Sequence, residues 1–236
     1  MKHILLRTGA LGLAVVVAAP ISSLVTACSP NVQNSSLPEN PASSIASAVN
    51  AQTMNHGTMQ HGGMGHSMDM DLGPADESYD LRFLDAMVPH HEGAVVMAKE
   101  VLQKSQRPEM KKLAKEIIQA QSKEIAQMKQ WRSAWYPKAP TTPMAWHAPM
   151  GHMMEMSAEQ RKAMMMSLDL GAADAQFDLR FLDAMIPHHE GALVMAKDVL
   201  SKSQRPEMKQ LAQNILASQQ QEIAQMKQWR QAWYGQ

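Results

Sequence analysis

Two stretches of the chain carry apolar residues at every third or fourth position, a spacing that predicts amphipathic helices. The first stretch runs from about Tyr79 to Lys104, and the second begins at Pro108, a favoured first position of a helix. Only the three residues from Ser105 to Arg107 separate the two stretches. The pattern therefore predicts an antiparallel helical hairpin.

The same pattern occurs a second time. Residues 177–234 align with residues 79–136 without a gap, and 44 of the 58 pairs are identical, which indicates a tandem duplication. A single hairpin would expose its apolar stripe to water, whereas two hairpins placed face to face close a core. We therefore expect an all-α fold, an antiparallel, ferritin-like four-helix bundle made of repeat 1 (residues 77–136) and repeat 2 (residues 176–236). The protein would be a monomer or a domain-swapped dimer.

The segments outside the repeats lack this periodicity. Residues 29–76 are rich in serine, asparagine, proline and glycine, and this composition predicts disorder. Residues 137–175 begin with closely spaced prolines and then offer one short helix, from Ser157 to Leu168, that Ser157 can cap. The bundle is thus expected to carry loosely structured attachments rich in methionine and histidine.

Residues 1–28 have the features of an export signal. Lys2 and Arg7 precede a short apolar run, and nothing later in the sequence is apolar enough to span a bilayer. The residues before Cys28 match the acylation motif of bacterial lipoproteins, although an ordinary secretory leader that contains a cysteine fits as well. The mature protein is therefore expected in the periplasm or outside the cell, touching a membrane only through a lipid anchor at Cys28.

Charge and motifs exclude several function classes. Lysine plus arginine and aspartate plus glutamate both number 22, so the chain has no basic surplus for nucleic acid. The sequence contains no Ser/His/Asp arrangement, no His-Glu-x-x-His zinc motif and no glycine-rich phosphate loop. It also lacks the Glu-x-x-His pair of di-iron bundles. We therefore expect no enzymatic activity.

Paired histidines flanked by methionines occur once in each repeat. Residues four or seven apart share one side of a helix, so Met87 neighbours His91, and Met97 lies two turns from His90 on the same side. The internal Pro89 predicts a kink or a helix start just before these histidines. The candidate metal ligands are Met87, His90, His91 and Met97 in repeat 1 and Met185, His188, His189 and Met195 in repeat 2.

A purely structural interpretation of these residues stays open. Adjacent histidines in a bundle can pack in the core and bind carboxylates such as Asp80 or Asp85, and methionines at helical spacing are usually core residues. On the second helix, Glu124 and Met128, with Glu222 and Met226 as counterparts, could complete a metal site or simply pack.

Methionine and histidine also alternate in the two segments that have no core to fill. Thioether and imidazole together select copper(I), with silver(I) as its chemical mimic. Compositional drift, or capture of zinc or nickel by histidine alone, would produce a similar pattern. The candidate ligands are Met54, His56, Met59, His61, Met64, His66 and Met68 in the first segment and His147, Met150, His152 and Met153 in the second.

The run Asp-Ala-Met-Val-Pro-His-His-Glu-Gly-Ala from Asp85 to Ala94, with Gln121-x-x-Glu124-Ile125-x-x-Met128, resembles a bacterial family of exported, ferritin-like helical domains of unknown function. The tandem pair and its methionine-rich linkers make the whole chain similar to a cyanobacterial copper metallochaperone. This resemblance implies a four-helix bundle, copper binding in the periplasm or outside the cell, and a part in copper resistance. It places the ligands on the methionines and histidines of the two motifs.

The sequence thus predicts an exported copper(I) binder that buffers copper or passes it to a copper-sensing or copper-accepting protein of the envelope. One alternative is an envelope protein-interaction module with incidental metal binding. It is suggested by the tryptophans near the helix ends, Trp131, Trp135, Trp229 and Trp233. A second alternative is a copper-dependent oxidoreductase, which would oxidise cuprous ion faster than the free ion reacts.

Overall fold

The computed structural model describes residues 71–236, which form five α-helices and one two-stranded sheet. The predicted export leader and the first methionine-histidine segment, with Met54, His56, Met59, His61, Met64, His66 and Met68, lie outside the described residues. The elements are, in order, α1 (Tyr79–Lys104), α2 (Pro108–Trp135), β1 (Met144–His147), β2 (His152–Glu155), α3 (Ala158–Met165), α4 (Phe177–Lys202) and α5 (Pro206–Tyr234).

The four long helices form the two predicted hairpins. Helices α1 and α2 pack along each other, as do α4 and α5, and the two hairpins meet mainly along α1 and α4. Proline occupies the first position of both α2 and α5, where its missing N–H group costs no helical hydrogen bond. The predicted helical fold is confirmed, with a small sheet added to it.

Two buried clusters make up the core, and each draws on all four long helices. One cluster joins the C-terminal half of α1 to the N-terminal half of α4, and the other joins the opposite halves, so α1 and α4 run antiparallel. The repeats are therefore related by an approximate twofold axis. Each cluster holds four methionines from equivalent positions: Met97, Met110, Met185 and Met226 in the first, and Met87, Met128, Met195 and Met208 in the second.

The internal prolines do not start new helices. Helix α1 continues through Pro89, and α4 continues through Pro187. A proline removes one hydrogen bond of the ladder, and the apolar residues buried on both sides of it hold the helix together. Of the two expected outcomes, the helix start is therefore wrong, and the histidines lie in the middle of a continuous helix.

The linker between the repeats is more ordered than its composition suggested. Strands β1 and β2 form an antiparallel hairpin in which His147 pairs with His152 and Trp146 with Met153. Helix α3 follows with the expected Ser157 cap, as a capping box completed by Gln160, but it ends at Met165 rather than Leu168. The loose structure expected for residues 137–175 is thus wrong for this hairpin.

Contacts with α1 explain why the hairpin is ordered. The Met144 amide donates a 2.8 Å hydrogen bond to Asp85, and the Trp146 ring lies over the Arg82 guanidinium at 5.3 Å. The same ring packs on Gly73, where a Cβ atom would come within 2.5 Å of it. Local composition alone did not reveal these anchors, because they come from distant parts of the chain. Within residues 71–236 no helix is long and apolar enough to cross a membrane.

Candidate metal centre

The four motif histidines lie where α1 and α4 cross, close to the approximate twofold axis. All four are buried, with at most 1% of their surface exposed. The rings of His90 and His188 are the central pair, with centroids 3.9 Å apart. His91 lies 6.4 Å from His90, and His189 lies 6.2 Å from His188. The duplication thus brings the two motifs together at one place.

Glutamates on the second helix of each hairpin orient the outer histidines. Glu124 accepts a 2.8 Å hydrogen bond from Nε2 of His91, and Glu222 accepts a 2.6 Å bond from Nε2 of His189. A carboxylate that holds Nε2–H fixes the tautomer of a neutral imidazole, so the lone pair lies on Nδ1. The carboxylates suggested from sequence, Asp80 and Asp85, do not serve this purpose.

The backbone carbonyl of Met165 orients one central histidine, His188, whose Nε2 lies 3.1 Å from it. The carbonyl is pressed against Gly93, where a Cβ atom would stand only 1.8 Å away. Sequence reasoning missed this contact, since a carbonyl at the end of a short helix carries no residue-specific signal. The glycine in the motif was the available hint, because it permits a close backbone approach.

Five of the eight ring nitrogens in this group have no hydrogen-bond partner within residues 71–236. They are Nδ1 of His90, His91, His188 and His189, and Nε2 of His90. A buried polar atom left in this state costs about 1–3 kcal/mol. The four histidines therefore present several ring nitrogens that could bind a metal, in a site shielded from water.

Burial keeps the central histidines neutral. Desolvation, with smaller contributions from the neighbouring imidazoles, lowers the pKa of His90 well below its usual value. The same two causes lower the pKa of His188 to about 3, against a smaller opposing effect of the Met165 carbonyl. A neutral imidazole is the form that binds metals, so near neutral pH no proton competes at these two rings.

The central pair stands too close to share an ion between its nitrogens. A metal about 2.0–2.1 Å from a ring nitrogen lies roughly 3.2 Å from the ring centroid, so two rings at a right angle around one ion are about 4.5 Å apart. The observed 3.9 Å is shorter. As placed, His90 and His188 would bind separate ions or would have to move apart.

The candidate methionines are buried, and they are distributed between the two core clusters. Met87 lies in one cluster with Met195, and Met97 lies in the other with Met185. Methionines from different repeats are therefore brought together, whereas the two of one motif are separated. All four are fully buried.

The candidate ligands in the linker are not part of the core group, the four buried histidines of the two motifs. His147 and Met153 are half-buried in the hairpin, whereas Met150 and His152 are exposed. The ring centroids of His147 and His152 are 6.5 Å apart. In the part of the chain that the structure describes, no group of three or more histidine, cysteine, aspartate or glutamate side chains is arranged to hold a metal ion.

The tryptophans near the helix ends have intramolecular partners. Trp131 and Trp135 stack at 5.0 Å, as Trp229 and Trp233 do at 5.1 Å. Each stack packs against a core cluster and lies under an arginine of the other repeat: Arg205 over Trp135, and Arg107 over Trp233. These contacts give the rings a role in closing the bundle ends.

Comparison with solved structures finds CopM in several metal-bound forms. The silver-bound and copper(I)-bound forms are each 39% identical to this chain, cover 66% of it and 97% of their own chains, and have a TM-score of 0.52. The copper(II)-bound form is 43% identical, with the same coverage and TM-score.

Sequence comparison adds a viral relative and a family. An uncharacterized protein, L153, from Acanthamoeba polyphaga mimivirus is 45% identical over 49 residues, which are 21% of this chain and 32% of that protein. The chain thus spans about a third of the length of this curated relative. A family model matches residues 31–132 and again residues 80–230. The resemblance carried by the Pro-His-His motif is thereby confirmed, and the chain belongs to the family described as domain of unknown function DUF305.

Proposed function

We propose that the protein is an exported copper(I) binder that buffers copper or passes it on, without catalytic turnover. The observation that carries this proposal is the group of four buried histidines with five ring nitrogens that make no hydrogen bond within residues 71–236. Thioether sulfurs fill the core on both sides of the group. Neutral imidazole and thioether donors favour copper(I) over hard ions.

The tautomers support a role for these histidines in metal binding. Metal-binding histidines usually donate their second N–H to a carboxylate or a carbonyl, which orients the ring and raises its basicity. His91, His189 and His188 make such bonds to Glu124, Glu222 and the Met165 carbonyl. Their Nδ1 lone pairs are then available to an ion.

The likeness to CopM supports the choice of metal, since the matching structures include silver-bound, copper(I)-bound and copper(II)-bound forms of CopM. A part in copper resistance and delivery to an envelope partner belong to the same proposal. Export and anchoring rest on the first 28 residues, whose Lys2, Arg7 and Cys28 are the relevant features.

Titration of the full chain with copper(I) against a competing chelator tests the core site. We expect His90→Leu together with His188→Leu to remove copper equivalents while the helical circular dichroism is retained. Met97→Leu with Met195→Leu should weaken binding. The matched control is Met110→Leu with Met208→Leu, which changes equally buried methionines outside the motifs. Unchanged stoichiometry and affinity in the histidine variant would exclude the core from copper binding.

The protein-interaction alternative makes a different prediction. Its surface would include the stacked tryptophans, which already pack within the bundle. Capture of a partner that depends on these rings and is indifferent to copper would favour it. The oxidoreductase alternative predicts oxidation of cuprous ion by the purified chain at a rate above that of the free ion, and we expect none.

A further inference from the structure

The β-hairpin of the linker brings two histidines side by side at some distance from the core group. His147 is the last residue of β1 and His152 the first of β2, and the strand register pairs them directly. The turn between them contains Met150, 64% exposed, and Gly151 in the left-handed conformation. Donors from both strands and from the turn therefore meet at one end of the hairpin.

The distance between the two rings suits one ion bound by both. With a metal–nitrogen distance of about 2.0–2.1 Å, two imidazoles on opposite sides of one ion have centroids about 6.4 Å apart. The rings of His147 and His152 are 6.5 Å apart. A wide angle between the two metal–nitrogen bonds, with room for a third ligand at the side, is the arrangement that this separation fits.

The state of the ring nitrogens agrees with this use. Nδ1 of His152 lies 3.2 Å from the carbonyl of Met150, so it carries the proton and leaves the lone pair on Nε2. Nδ1 of His147 is shielded from solvent and has no hydrogen-bond partner among the described residues. Within residues 71–236, neither ring forms a hydrogen bond with a carboxylate.

The register also selects among the neighbouring methionines. Side chains alternate across a strand, so Met154 lies on the same face as His152 and, through its pairing with Ala145, on the same face as His147. Met153 pairs with Trp146 on the other face. Met153 was among the candidate ligands predicted from the sequence, whereas the fold favours Met154, which is 43% exposed.

We propose that the hairpin is a separate, solvent-accessible site for a soft monovalent ion, copper(I) or silver(I), held between His147 and His152 with Met154 as the third ligand. The site rests on the proposed copper function and extends it, because it gives the protein accessible metal ligands in addition to the buried core histidines. The anchoring of the hairpin on Asp85, Arg82 and Gly73 holds the two strands in place before an ion arrives.

Silver(I) added to the full chain tests this site, since it does not change oxidation state. We expect the ring resonances of His147 and His152 to shift together in nuclear magnetic resonance spectra, and zinc at the same concentration not to reproduce the shift. Met154→Leu should weaken the hairpin site at least tenfold, whereas the matched control Met153→Leu should leave it unchanged. Unmoved ring resonances, or equal effects of the two methionine variants, would overturn the proposal.

A second measurement separates this site from the core. In His147→Gln with His152→Gln, one silver equivalent should be lost while the core equivalents remain. In the core variant His90→Leu with His188→Leu, the hairpin resonances should still respond to silver. A core that binds nothing would defeat the proposed core function and leave the hairpin response intact. Full retention of silver stoichiometry and affinity in the hairpin variant would defeat the hairpin site alone.

Discussion

The two repeats have nearly the same sequence but different surroundings. In repeat 1, the linker covers the motif face of α1, so Asp85 is buried and Gly93 touches the backbone of Met165. In repeat 2, the equivalent Asp183 is exposed, and Gly191 is half-buried. Within residues 71–236, no counterpart of the hairpin and α3 covers α4.

This difference shows that nearly identical motifs acquire different hydrogen-bond partners from the segments that pack on them. The linker carbonyl that lies against α1 serves His188 of the opposite repeat. The equivalent position would serve His90, whose ring nitrogens have no hydrogen-bond partner in the described part of the chain. The twofold symmetry of the helices is thus broken at the histidines.

Lowering the pH should have the largest effect on stability, because it protonates the two central histidines, His90 and His188. Their folded-state pKa values are lowered, so the stability from keeping them neutral is present above about pH 6.5, the unfolded value, and is lost as the pH falls below it. We expect the free energy of unfolding to fall by up to about 1.4 kcal/mol per pH unit for each ring as the pH drops below 6.5. Urea unfolding at several pH values measures the slope.

The matching variant is His90→Leu, which should remove about half of that slope and leave the contribution of His188. A slope equal to that of the original chain would mean that His90 is not held neutral by burial.

Loss of the arginine beside Asp85 should have the next largest effect. Arg132 binds the buried Asp85, whereas Arg230 binds the exposed Asp183 at 2.6 Å. We expect Arg132→Ala to cost about 2–4 kcal/mol, because it leaves a buried carboxylate without its countercharge and raises further the pKa of Asp85, which burial already raises. Arg230→Ala should cost less than about 1 kcal/mol. Equal losses in chemical denaturation would contradict the difference in burial.

Alanine substitutions at the two motif glycines, Gly93 and Gly191, should change the stability of the protein in opposite directions. Gly93→Ala places a methyl group against the Met165 carbonyl and should cost about 1–3 kcal/mol. Gly191→Ala, in the half-buried position, should be neutral or stabilise the helix by up to about 1 kcal/mol. Melting temperatures of the two variants provide the comparison, and a stable Gly93→Ala protein would show that α3 does not pack where the structure has it.

The smallest effect is expected at the start of the repeats, where Tyr79 in α1 corresponds to Phe177 in α4. The Tyr79 hydroxyl donates a 3.0 Å hydrogen bond to Asp198 of the other repeat, and burial, followed by that carboxylate, raises the pKa of the phenol. Tyr79→Phe should cost about 1 kcal/mol. A double-mutant cycle with Asp198→Ala isolates this bond, and a coupling energy near zero would show that it contributes nothing.

The helices could be predicted because their signals are local. Periodic apolar residues, Pro108 after a three-residue connection and the Ser157 cap each act within a few residues of where they stand. The bundle followed from the duplication, since two equal stripes can cover each other. The motif itself identified the histidines that the fold brings together.

The contacts that orient the histidines and anchor the hairpin could not be predicted, because they join residues far apart in the chain. Glu124 is 33 positions from His91, and Asp85 is 59 positions from Met144, so neither contact leaves a local pattern. Repeats with the same motif also cannot indicate which of them the linker covers. The hairpin was missed because its anchor, Trp146, packs on Gly73 and Arg82 rather than on its own neighbours.

The antiparallel pairing of α1 with α4 has an evolutionary consequence. It relates the two repeats by an approximate twofold axis, so a single hairpin could form the same core as a symmetric homodimer. In such a dimer, every substitution near the axis would occur on both sides at once. Joining the copies in one gene frees each side to change alone, and the linker that joins them brings a carbonyl to His188 and, within residues 71–236, none to His90.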